Sequence, residues 1–77
     1  MKIYILTCIN EEGTLVSCKA YHSSDEAKID MVNQSVAERT EFRKADRPGQ
    51  YFKPGDTKTI VGDEEYFYIW NITEDEV

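Results

Sequence analysis

Residues 2–21 read KIYILTCINEEGTLVSCKAY, and this stretch decides the fold. Residues 2–9 are rich in Ile and Tyr, which suits a strand, and Thr14 to Tyr21 reads as a second one. Between them, Asn10-Glu11-Glu12-Gly13-Thr14 fits a type I turn followed by a left-handed glycine, a three-residue hairpin loop with a bulge. That turn pairs Asn10 with Thr14 and predicts Cys8 opposite Val16 and Leu6 opposite Cys18. Tyr4, Leu6, Cys8, Val16, Cys18 and Ala20 then share the expected core face. The other face is mixed: Ile3, Ile5, Thr7 and Ile9 beside Leu15, Ser17, Lys19 and Tyr21. That much apolar surface predicts partial cover by another element or a second subunit.

Ser23-Ser24-Asp25-Glu26 is a helix start, with Ser23 as N-cap and Glu26 closing a capping box. The helix is expected to run to about Ala45, where Arg47-Pro48-Gly49 stops it. Ile29, Val32, Val36 and Thr40 form one stripe at helical spacing, which predicts the face packed on the hairpin. Ala27, Met31, Phe42 and Ala45 lie on another side. Pro48-Gly49 and Pro54-Gly55 each fit a type II turn and bracket a loop containing Tyr51 and Phe52. Lys58 to Val61 reads as a short strand and Glu65 to Ile72 as the last, with fraying expected after Thr73. Tyr66-Phe67-Tyr68-Ile69-Trp70 is apolar on both faces, as in an interior strand, with Trp70 as core. The predicted class is α+β: a small antiparallel sheet in the order β-β-α-β-β with one helix across one face.

At 77 residues the chain is one domain, residues 1–77, near the lower limit for a self-sufficient core. With 40% hydrophobic residues it is too apolar to be disordered. The net charge of −6 is unevenly placed. Residues 62–77 hold six acids and no base, whereas residues 43–58 hold five bases against two acids. Net acidity argues against duplex DNA as partner. The apolar opening run ends at Ile9 without a cleavage site, so a cytoplasmic location and no membrane contact are expected.

Little in the chain points to catalysis. In the register above, Cys8 and Cys18 share a face only diagonally, at ~7–8 Å, which predicts two buried free thiols rather than a disulfide. His22 lies four extended residues from Cys18, about 13 Å at ~3.3 Å per residue, too far for a dyad. The acidic runs lack calcium-loop spacing, and no phosphate loop or dinucleotide fingerprint is present. No enzyme activity, metal or cofactor is expected.

The Met1-Lys2-Ile3-Tyr4 opening, the capped start Ser23-Ser24-Asp25-Glu26-Ala27-Lys28 and the closing run Tyr66 to Glu74 resemble short uncharacterised proteins of gut bacteria and their phages. The resemblance is one of style and carries over no site. The expected function is a non-enzymatic protein-interaction module, self-associating as a homo-oligomer. An acidic inhibitor that mimics nucleic acid toward a basic protein is the alternative. Weak binding of single strands through residues 43–53 is a second. The candidate interaction residues are Glu64, Glu65, Glu74, Asp75, Tyr51 and Phe52.

Overall fold

Asn10 builds the first turn with its own side chain. Its Oδ1 accepts the backbone N–H groups of Glu12 and Thr14, each at 3.0 Å, and Gly13 takes φ 77°. The computed structural model describes all 77 residues. Strands β1 (Lys2–Asn10) and β2 (Leu15–Tyr21) leave this turn in the expected register, Ile9 opposite Leu15. The ladder then slips: Cys8 faces Ser17, and Val16 is the extra residue of a bulge. A one-residue slip turns every later side chain to the other face. Cys18 and Ala20 therefore lie opposite Thr7 and Ile5, away from the helix, and Cys18 is exposed rather than buried. Ser17, Lys19 and Tyr21 take the helix side. The slip brings the Tyr21 ring against the core, with its hydroxyl donating to Asp30. Covering a tyrosine body with its polar tip satisfied outweighs covering Cys18 and Ala20. With the two cysteines on opposite faces, both stay free.

Helix α1 (Ser24–Ala45) begins as its sequence predicts. The Ser23 Oγ accepts the Glu26 N–H at 3.2 Å, and Asp25 and Glu26 sit at the positive end of the helix dipole. The buried face, however, is Ala27, Met31, Ser35 and Phe42. The expected stripe points outward: Ile29, Val32 and Val36 are 61%, 55% and 46% exposed. Size explains the choice. Ala27 and Ser35 let the helix backbone approach the sheet, while Met31 and Phe42 fill the space on either side. Ser35 satisfies its own hydroxyl on the Val32 carbonyl at 3.1 Å, so its burial leaves nothing unpaired.

The chain turns at Pro48-Gly49 with Gly49 at φ 76°, as a type II turn requires. Tyr51–Lys53 then pairs as a short edge strand, β3, where a loop was expected. The Pro54-Gly55 turn is not type II, because Gly55 is not left-handed. A side chain at Gly55 would collide with the Lys58 carbonyl, so close approach accounts for the glycine. Strand β4 (Lys58–Gly62) leads through the Asp63 turn into β5 (Phe67–Glu76). No fraying occurs after Thr73. β5 pairs along all of β1, from Asn10–Tyr68 to Lys2–Glu76.

The antiparallel sheet has the order β2-β1-β5-β4-β3, with α1 across one face, which is the α+β class expected. The core between them holds Leu6, Cys8, Met31, Phe42, Val61 and Trp70. Trp70 is 1% exposed and its Nε1 donates to the Gln34 Oε1 at 3.0 Å. No helix is long and apolar enough to cross a membrane.

Candidate interaction surface

One helix covers one face of the sheet, and the register fixes what the other face carries. Across β2, β1, β5 and β4, Leu15, Ile9, Ile69 and Ile60 stand in a single row. Beside it lie Phe67, Gly62 and Tyr51. On its other side come Thr7, Cys18, Asn71 and Lys58, and beyond these Ile3, Ile5 and Ala20. Lys53 and Asp75 are charged residues at the margin of this face. Leu15 is 56% exposed, and the row's isoleucines are half-buried by their sheet neighbours. An apolar band with polar and charged groups outside it is the layout of a protein interface.

The residues singled out from sequence do not converge. Tyr51 joins the helix-free face, but its neighbour Phe52 turns to the other side and packs against the core. Arg39 already lies over the Phe52 ring at 4.6 Å, and Lys53 over Tyr51 at 5.5 Å. Glu64 and Glu65 occupy the turn before β5, while Glu74 and Asp75 lie near its far end. The strand from Phe67 to Glu74 divides the two pairs, about 24 Å at ~3.4 Å per residue. The acidic window is therefore two patches. Glu74 is further engaged by Lys2 at 3.4 Å.

Arg47 is also committed within the fold. Its Nε donates to the Asp63 Oδ2 at 2.7 Å, and its guanidinium lies over the Tyr66 ring at 4.8 Å. Burial alone would raise the Asp63 carboxyl. Hydrogen bonds from the Tyr66 N–H, Arg47 and the Glu65 N–H outweigh it and hold Asp63 below its ordinary range. The same bond raises Arg47. This pair locks the helix exit to the β4–β5 turn.

The thiols differ in chemistry as well as place. Burial, then the charge of Glu38, pushes Cys8 up to about 11, which keeps it protonated and unreactive. Cys18 stands on the helix-free face in solvent. No three His, Cys, Asp or Glu side chains converge as metal ligands.

Sequence reasoning identified surplus apolar surface on the hairpin and apolar residues on both faces of the last strand, but did not join the two into one surface or extend it to β4. The signal was present in the alternation of Phe67, Ile69 and Asn71 and in Ile60 between Thr59 and Val61. Reading it required the strand order. No protein-family model, curated protein or solved structure matches the chain.

Proposed function

We propose that this protein is a non-enzymatic interaction module that pairs with a second copy of itself, helix-free face against helix-free face. The row Leu15–Ile9–Ile69–Ile60 carries this reading. A row crossing four strands is self-complementary under a twofold axis through the face, as an isologous dimer requires. The area supports it too. Strands of 9, 7, 3, 5 and 10 residues, at ~3.4 Å per residue and ~4.8 Å spacing, present roughly 550 Å² per protomer, so a pair buries the ~1,000 Å² that a specific interface needs.

Sedimentation velocity at about 50 µM tests the proposal, a concentration at which a micromolar dimer is populated. The expected species has twice the 8.9 kDa chain mass. Ile69→Lys shifts it to the monomer. A half-covered isoleucine has roughly 40 Å² left to bury, worth ~1 kcal/mol per protomer and ~2 kcal/mol per symmetric pair. That weakens the dimer about 30-fold before the cost of desolvating lysine is added. A sole species at 8.9 kDa refutes self-association. A dimer untouched by Ile69→Lys refutes this face.

A further inference from the structure

The helix crosses the sheet diagonally. Near its start Asp30 meets Tyr21 of β2, and near its end Phe42 lies edge-on to Tyr68 of β5, ring centres 6.2 Å apart. The corner of the sheet beside the β1–β2 turn is left uncovered on the helix side. A cleft of about 290 Å³ opens there between α1 and β2. Trp70, Tyr68 and Cys8 line it from the sheet, Val16 from the bulge and Ala37 from the helix. Glu38 also lines it. A second cavity of about 260 Å³ shares Glu38 and Tyr68 and continues toward Phe42 and Tyr66. Glu38 therefore stands where the two meet.

Glu38 is half-buried and takes part in none of the four ion pairs of the fold. Of the basic side chains near it, Arg39 lies on Phe52, Lys44 pairs with Glu41 and Arg47 with Asp63, while Arg43 lines a different cavity beside Gln50 and Tyr51. We infer that this cleft binds a small primary amine with an aromatic tail, its ammonium on Glu38 and its ring against Tyr68, Val16 and Ala37. Charge and shape select this class together. An anion meets Glu38 and, in the adjoining cavity, Glu11 and Glu41. A neutral ligand leaves a partly desolvated carboxylate without a partner. A hard metal ion finds a single carboxylate in this lining, with Ser17 and Gln34 as the neutral oxygen donors beside it, short of the ~6 oxygens it takes. An arylalkylamine matches an apolar wall with one charged rim, and aromatic faces add attraction for its cation. Burial and the neighbouring Glu41 already hold the Glu38 carboxyl above its ordinary value, which an arriving ammonium would reverse. The cleft lies on the helix side of the sheet, so the inference stands apart from the pairing of the helix-free faces.

Trp70 is the only tryptophan and lies in the floor of the cleft, beside Tyr68, so its fluorescence reports on a ligand there. Its fluorescence is titrated with 2-phenylethylamine and, separately, with its uncharged analogue 2-phenylethanol. A saturable change with the amine is expected, with the alcohol roughly tenfold weaker or worse. Glu38→Gln removes that preference and leaves the alcohol unchanged. Ala37→Phe, at an exposed helix position that tolerates bulk, narrows the cleft and weakens both ligands. Far-UV circular dichroism confirms that each variant is folded. No saturation up to about 10 mM amine, equal affinity for amine and alcohol, or full amine affinity in folded Glu38→Gln each overturns the inference.

Discussion

Truncating Trp70 to alanine tests how the fold is held together. The side chain is 1% exposed and touches both halves of the molecule: its ring lies 5.9 Å from that of Tyr68, and its Nε1 donates to Gln34 on the helix. A buried tryptophan covers up to ~250 Å², so at ~25 cal/mol/Å² its loss forfeits at most about 6 kcal/mol, and ~3–5 kcal/mol is usual for such truncations. Gln34 is half-exposed and can turn its freed amide to water, so the lost hydrogen bond adds little. At ~0.05–0.15 kcal/mol per residue, a domain of this size has about 4–12 kcal/mol in total. With unfolding entropy of ~2.1 cal/mol/K per residue, a loss of 4 kcal/mol lowers Tm by about 25 °C. The assay is thermal unfolding followed by far-UV circular dichroism, at one fixed protein concentration because a dimer's Tm depends on it. Trp70→Phe keeps most of the packing and should lower Tm by less than half as much. A fall of under about 5 °C for Trp70→Ala, with red-shifted wild-type emission, would refute Trp70 as core.

Other outcomes follow from single side chains. Asp63 has a folded pKa below its ordinary 3.8, so its stabilising contribution is complete above that value and is lost as pH falls through the lower folded one. Denaturant midpoints for Asp63→Asn should therefore fall at pH 7 and converge with wild type in acid; equal midpoints at pH 7 would contradict this. Glu38 has the opposite sign: its folded pKa is raised above 4.5, so its charge opposes folding at neutral pH. Glu38→Gln should raise the denaturant midpoint at pH 7, and a lowered midpoint counts against the burial argument. An aromatic disulfide reagent at pH 8 should modify one thiol, Cys18, in the native protein and reach Cys8 only on unfolding. The Cys18 rate should drop as protein concentration rises through the dimer constant, and a concentration-independent rate would place the interface elsewhere.

What was legible in the sequence is what short-range chemistry decides. Asn10 and Gly13 make their turn with their own side chain and backbone, Ser23 caps the helix, and Pro48-Gly49 stops it within a few residues. The helix face was not legible because apolar residues stand on both sides of α1. Periodicity ranked Ile29, Val32 and Val36 by hydropathy, whereas the sheet selected Ala27 and Ser35 by size. β3 escaped notice because Tyr51–Lys53 is three residues between two Pro-Gly turns and is held only by its pairing with β4. The end of β5 was read as frayed because Glu74, Asp75 and Glu76 look like a solvated tail. Pairing with β1, and Lys2 beside Glu74, hold it in the sheet. Among the interaction residues, only Tyr51 and Asp75 reached the helix-free face, since a charge window in sequence says nothing about the length of strand that divides it.

The Val16 bulge links fold and proposed function. In a two-layer protein whose second sheet face meets only water, an edge strand is expected to keep apolar residues inward and polar ones outward. β2 does the reverse beyond its bulge. Ser17 and Lys19 share the side of the helix, while Cys18 and Ala20 join Leu15 on the outside. Without the slip, Ser17, Lys19 and Tyr21 would interrupt the outer face and Cys18 and Ala20 would serve the core, the arrangement that suits a monomer. The observed register instead extends the outer apolar surface from β4 across β5 and β1 to the edge of the sheet. It also sets Ser17 rather than an apolar side chain beside the helix, at the cleft that Val16 and Trp70 line. A bulge that exchanges Cys18 and Ala20 for Tyr21 in the inner layer and completes the outer one fits the proposed pairing of two copies.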